Sequence, residues 1–290
     1  MISITIGWHR LQASDEFKLL AYERPRWQTL IPTAGGLAGT SVDLLFFPID
    51  TVKTRLQSPQ GFVRSGGFKG IYKGIGSVVV GSAPGAAAFF STYDTIKRHT
   101  PLEPHLAPLT HIVAASVGEV VACLIRVPTE VVKTRMQTLA YGTQGHSSWS
   151  AAKLVLSNDG WRGFYRGFGI TIMREIPFTS IQFPLYELLK VQIAKQFGRK
   201  PHAHEAAICG SIAGGFAAAA TTPLDVLKTR IMLDLRDPTK EKLPSVSTRL
   251  RGIYTSEGVG ALFAGVVPRT LWISAGGAVF LGVYEWVVGL

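Results

Sequence analysis

The stretch PIDTVKTRLQ, residues 48–57, decides the fold, because the chain writes it twice more: PTEVVKTRMQ from Pro128 and PLDVLKTRIM from Pro223. All three read Pro, any, acidic, two of any kind, Lys, any, Arg. A second block follows each copy in the same order: GGFKGIYKG from Gly66, DGWRGFYRG from Asp159 and EGVGALFAG from Glu257. A third signal ends each unit, YDTIK from Tyr93, YELLK from Tyr186 and YEWVV from Tyr284. Two blocks recurring in order three times define an internal repeat, and the repeat defines the architecture. The units occupy 28–100, 101–200 and 201–290, with 1–27 as an N-terminal extension.

Each unit holds two apolar runs, one ending at its Pro motif and one following its second block. The resulting spans are 29–57, 74–98, 106–137, 168–195, 206–232 and 266–289. Residues 74–93 and 206–224 carry no charge at all, close to the ~20 residues that cross hydrocarbon as a helix. The 290 residues are 47% hydrophobic and only 17% charged, against about a quarter in soluble domains, and mean hydropathy is +0.23. The fold class is therefore an all-α membrane protein of six transmembrane helices in three tandem two-helix repeats with pseudo-threefold symmetry. Six spans place both termini on one side. Small residues four apart, Gly35 with Gly39 and Gly210 with Gly214, suit close helix contact in lipid.

The net charge of +11 does not point to nucleic acid, since the basic residues recur between apolar runs and form no aromatic-interleaved stripe; it suits anionic lipid surfaces and anions. Cys123 and Cys209 lie inside spans, which leaves no disulfide framework or Cys-based metal site. Residues 1–27 mix Arg10, Lys18, Arg24 and Arg26 with Asp15, Glu16 and Glu23 and have neither a secretory apolar core nor the composition of a transit peptide, so any address is expected to be internal. No glycine-rich nucleotide turn, His–acid pair or metal cluster supports an enzyme, and no cofactor is implied.

These motifs resemble the mitochondrial carrier family over essentially all of 28–290. The resemblance implies six tilted helices with the prolines kinking the odd ones, a short surface helix in each connecting loop, a functional monomer of the mitochondrial inner membrane, and membrane lipid, cardiolipin included, as a partner. It also implies two gates. Acidic and basic residues three apart share a helix face, so Asp50 with Lys133, Glu130 with Lys228 and Asp225 with Lys53 would close a matrix ring, braced by Gln57 and Gln137, with Met232 in the third brace position. The cytoplasmic gate would pair Asp94 with Lys190 and Glu285 with Lys97, while Val288 leaves Glu187 unanswered. Gly66 and Ala264 depart from the loop block.

A substrate without threefold symmetry is read where the repeats differ. Twelve and eleven residues before each Tyr stand Gly81 and Ser82, Arg174 and Glu175, and Trp272 and Ile273, positions that match the family's substrate contacts. On the odd helices Asp43 and Glu119 are carboxylates without counterparts, and Arg126 is opposed by Phe46 and Thr221. The expected binding set is Asp43, Gly81, Ser82, Glu119, Arg126, Arg174, Glu175 and Trp272. Arg174 with Glu175 suits a carboxylate and an ammonium, Asp43 and Glu119 favour a further cation, and Trp272 offers an aromatic face to an adenine or a sulfonium. Within the family the wording resembles members that carry S-adenosylmethionine, which implies its import in exchange for S-adenosylhomocysteine. Three other readings stay open: a carrier of basic amino acids, a scaffold that keeps the fold without transport, and mutual pairing of the carboxylates with Arg126, Arg174 or Arg269.

Overall fold

In hydrocarbon every backbone N–H and C=O must be satisfied within the segment, so apolar runs of this length fold as helices. The computed structural model describes residues 44–99, 107–142, 147–199, 201–235 and 244–276, and they are helical, with no strand among them. The first unit contributes α1 (Phe47–Gln57), the single turn α2 (Gly61–Arg64) and α3 (Ile75–His99). From the second come α4 (Ala107–Gln137), α5 (Ser148–Asp159), α6 (Trp161–Phe164) and α7 (Phe168–Phe197). The third holds α8 (Ala203–Ala220), α9 (Thr222–Leu233), α10 (Val246–Glu257), α11 (Val259–Leu262) and α12, residues 266–276. Of the expected spans, 29–43 and 277–289 lie outside the described residues, as do Gly35 and Gly39.

By length and apolar composition alone, residues 75–93 and 259–276 qualify as membrane spans, joined by α8–α9 if its 61° bend is one broken span. Helices α4 and α7, 31 and 30 residues long, exceed the ~20 that hydrocarbon needs but carry charges. The mid-helix arginines turn inward, with the Arg126 and Arg174 side chains 13% and 15% exposed, while Val117, Leu124, Ile176 and Leu188 of the same helices face out. Ile208, Ile212 and Phe216 of α8 are likewise exposed, and Arg55, Arg135 and Arg269 are among the largest fully buried side chains. A soluble domain does the opposite. An apolar exterior over a charged interior is the arrangement of a chain whose outer solvent is lipid.

The prolines act unevenly. Pro48 and Pro223 sit in the first turn of α1 and α9, just after breaks at Phe46 and Thr221, where a missing N–H costs nothing. At the second break the Thr221 and Thr222 hydroxyls donate to the Ala217 and Ala218 carbonyls, both at 2.7 Å. Pro128 breaks nothing, for α4 runs through it. The expected surface helices form as twelve-residue α5 and α10, but the first connecting loop is shorter and has room only for the turn α2.

In the second block the glycines are turn residues. Gly74, Gly167 and Gly265 adopt φ of +90°, +87° and +73°, a region where a side chain is strained, and each seats its loop on the odd helix of the next repeat. A Cβ would meet the Lys133 carbonyl oxygen at 3.3 Å from Gly74, Met232 at 3.0 Å from Gly167 and the Lys53 carbonyl oxygen at 3.2 Å from Gly265. The motif arginines stitch the same joints. Arg55, Arg135 and Arg230 donate to the backbone carbonyls of Gln137, Met232 and Gln57 at 2.7, 3.0 and 3.4 Å. As a result α1, α4 and α9 touch pairwise in a triangle.

Within its own repeat Arg230 also grips Glu257, with Nη2 to Oε2 at 2.7 Å, and these hydrogen bonds hold the Glu257 carboxyl below the usual carboxylate range. A lowered folded-state value means the pair contributes above the unfolded value of 4.5 and fades as pH falls through the lowered one. Glu257→Gln is therefore expected to flatten the loss of stability below about pH 4.5, read as thermal unfolding across a pH series. An acid limb identical to wild type would show the pair contributes nothing.

Candidate functional site

Three ion pairs close where α1, α4 and α9 converge: Lys133 with Asp50 at 2.6 Å, Lys228 with Glu130 at 2.7 Å and Lys53 with Asp225 at 2.8 Å. Each joins different repeats, because an acid and a base three apart on one helix look from one face toward two neighbours. Gln137 donates to Asp50 at 3.2 Å and to Thr51 at 3.0 Å. Gln57 donates to Asp225 at 2.9 Å and accepts from Thr229 at 2.6 Å. Met232, in the third such position, packs against Gly167 instead.

The ring residues share one cavity with Gly81, Ser82, Arg126, Arg174, Glu175 and Trp272. Arg174 bonds Glu175 and stands 3.8 Å from Asp225. Adjacent helix residues do not normally face each other, so this pair bends together to neutralise itself. Glu175 is 7% exposed, and neither its Oε2 nor Arg174 Nε finds a hydrogen-bond partner among the described residues. Glu119 is not among the residues lining the cavity; it accepts from Arg126 at 2.6 Å and from the Cys123 thiol at 3.3 Å. Arg126 in turn reaches Glu130 at 3.5 Å. Asp43 and Glu285 lie outside the described residues, and so do the side chains of Asp94 and Lys97. Of the expected cytoplasmic set, Lys190 and Glu187 stand 3.9 Å apart on α7.

Gly81 has a packing role that its asymmetry in the repeat conceals. A Cβ there would fall 2.2 Å from Thr129 Oγ1 and 2.9 Å from its methyl, so α3 and α4 meet at this point only without a side chain. Gly81→Ala is expected to lower stability by about 1–3 kcal/mol, the cost of overpacking, and Thr129→Ala to restore part of it. Thermal unfolding of the two single variants and the double variant checks this, and strict additivity would refute the contact.

Arg269 was not among the expected binding residues. It is 1% exposed, lines the cavity, and reaches Asp225 at 2.8 Å and Thr221 at 2.9 Å. The signal was present one helical turn from the positions compared: fifteen residues before each Tyr stand Val78, Thr171 and Arg269.

The mitochondrial carrier protein family matches residues 60–103, 104–197 and 199–290. The mitochondrial S-adenosylmethionine carrier protein of Mus musculus is 52% identical over 254 residues, covering 87% of this chain and 91% of its own. Its counterpart in Danio rerio is 50% identical over 259 residues, covering 88% and 94%. The putative mitochondrial carrier protein PET8 of Saccharomyces cerevisiae is 53% identical over 274 residues, covering 89% and 92%. The chain belongs to the mitochondrial carrier family. It is thus a multi-pass transporter of the mitochondrial inner membrane and not an enzyme.

Proposed function

We propose that this carrier imports S-adenosylmethionine into mitochondria in exchange for S-adenosylhomocysteine, by alternating access with the Asp50–Lys133, Glu130–Lys228 and Asp225–Lys53 ring as its matrix gate and Asp94, Lys97, Glu187, Lys190 and Glu285 as the opposite one. The observation that carries the reading is the self-neutralised Arg174–Glu175 pair, with an unused donor on one member and an unused acceptor on the other. A zwitterionic amino-acid headgroup satisfies both at once, its carboxylate on Arg174 and its ammonium on Glu175. Trp272 lines the same cavity and supplies a face for the adenine or the sulfonium. Arg126, neutralised by Glu119, and Asp43 complete the charge balance of the path. The names of the similar mouse and zebrafish proteins agree with this substrate. The working unit is a monomer in inner-membrane lipid, cardiolipin among it.

In liposomes loaded with unlabelled S-adenosylmethionine, the purified protein is expected to take up radiolabelled S-adenosylmethionine rapidly and saturably, and lysine, arginine and ATP hardly at all. With S-adenosylhomocysteine inside instead, the imported molecule carries one positive charge more than the exported one, so this exchange, unlike that of S-adenosylmethionine for itself, is expected to accelerate when the side receiving S-adenosylmethionine is negative; one charge is worth about 2.3 kcal/mol per 100 mV. Uptake of lysine or arginine in its place would make the chain a basic amino-acid carrier.

A further inference from the structure

The three ring carboxylates are not equally held. Asp50 pairs with Lys133 and its glutamine brace. Glu130 adds Arg126 at 3.5 Å to Lys228. Asp225 gathers Lys53 and Arg269, both at 2.8 Å, with Arg174 at 3.8 Å. The ring is threefold, yet two of the cations on Asp225 come from the substrate cavity and not from the ring. Arg269 has no counterpart in the other repeats, where Val78 and Thr171 stand. Its Nε is buried and has no hydrogen-bond partner among the described residues, while its Nη1 meets Asp225 as an ion pair and its Nη2 donates to Thr221. A guanidinium so placed faces the ring with one nitrogen and has donor capacity left beside the cavity.

We propose that Arg269 is a positioning residue that couples the cavity to the gate: it clamps Asp225 while the ring is closed, and a substrate carboxylate seated on Arg174, which reaches the same Asp225 oxygen as Arg269, draws Arg269 off and loosens the Asp225–Lys53 corner first. The inference rests on the transport reading above and names the contact through which a carboxylate-bearing substrate reaches the ring. A ligand shifts such an equilibrium only through differential contacts in the two states, and Arg269 supplies one. It trades Asp225 for the substrate without either arginine or carboxylate being left alone in the interior, where an unpaired charge is costly.

The test is maleimide labelling of purified protein carrying Thr138→Cys and Cys123→Ala. Thr138 is 1% exposed at the loop end of α4, one turn past the ring base Lys133, and Cys209, 2% exposed on α8, serves as an internal reporter of general loosening. S-adenosylmethionine is expected to raise labelling at 138 about tenfold, equivalent to about 1.4 kcal/mol, and to leave Cys209 unlabelled. Arg269→Gln is expected to raise the substrate-free rate at 138 by about the same factor and to remove most of the substrate's further effect. Arg269→Lys falls between, and adding Arg269→Gln to Asp225→Asn changes nothing more.

A wild-type rate in Arg269→Gln that substrate still accelerates would overturn the proposal, as would a rise at Cys209 equal to that at 138. If the glutamine variant does not fold, a substrate-free rate in Arg269→Lys equal to wild type overturns it instead. Should S-adenosylmethionine fail to move labelling in the wild-type background while Arg269→Gln still raises it, the substrate assignment falls and the clamp stands.

Discussion

Asp159→Asn is expected to lower stability by about 3–5 kcal/mol, the cost of stripping one partner from a buried ion pair. The Asp159 and Arg135 side chains are both 0% exposed, and Arg166 shares the same carboxylate at 3.3 Å. The Arg135 Nη1 that pairs with Asp159 also donates to the Tyr141 hydroxyl, and its Nε and Nη2 donate to the carbonyls of Met232 and Asp234, both at 3.0 Å. Removing the charge at 159 leaves two guanidinium groups facing a neutral amide inside the joint between repeats 2 and 3. The other repeats provide the controls. Glu257, the matching acid of repeat 3, has a side chain 42% exposed, and Glu257→Gln is expected to cost under about 1 kcal/mol, as exposed pairs do. Repeat 1 has no acid, and Arg55 takes the carbonyls of Gly67, Lys69 and Gly70 at 2.6, 2.8 and 3.2 Å. Restoring the acid there does not help, since Gly66 has φ of +107° and a Cβ would stand 3.1 Å from Leu139 and 3.3 Å from Arg55. Thermal unfolding in detergent decides the matter: a loss for Asp159→Asn no larger than that for Glu257→Gln would show that burial of this pair does not govern the joint.

What could be read in the chain beforehand follows from how local the cause is. The three ring ion pairs were legible because a three-residue spacing within one helix, repeated three times, turns each acid toward a neighbouring helix's lysine; the further cations on Glu130 and Asp225 were not. The loop glycines were legible as a repeated block but not as seats, since the lysine carbonyls beneath Gly74 and Gly265 belong to other repeats. For Glu119 the sequence left a path carboxylate and a partner of Arg126 both open, because that arginine lies seven residues on, two turns along α4, with the Cys123 thiol between them at 3.3 Å from each. Arg269 entered the sequence reading only as a possible partner of the path carboxylates, because its actual partner is Asp225, forty-four positions away in sequence and 2.8 Å away in space. Gly81 shows that asymmetry in a repeat can mark a cavity position and a tight packing point at once: it lines the cavity, and the closeness of Thr129 was not legible in the sequence.

Glu175→Gln is expected to reduce S-adenosylmethionine exchange about 10²-fold or more, equivalent to about 2.7 kcal/mol, while leaving the protein folded. The carboxylate is buried beside Arg174 with one oxygen unbonded among the described residues. An amide there presents either a neutral acceptor to a cationic ammonium or an N–H where an acceptor is needed. Truncating one side of a desolvated charge pair costs 2–5 kcal/mol or more, largely because the other charge stays buried. Arg174→Lys is expected to lose about tenfold, since a lysine keeps the charge but not the two parallel bonds that fit a carboxylate. The two losses differ in kind. Lysine at 174 raises the concentration needed for half-maximal uptake, because it still neutralises Glu175. Glutamine at 175 leaves Arg174 to the Asp225 corner of the ring, 3.8 Å away, and on the proposed gating role of the ring it is expected to tighten that corner as well as weaken substrate, lowering the maximal rate too. Initial uptake rates over a range of S-adenosylmethionine concentrations separate these effects. Wild-type exchange by Glu175→Gln would make the Arg174–Glu175 pair a structural neutralisation and move the substrate's headgroup to Arg126 and Glu119.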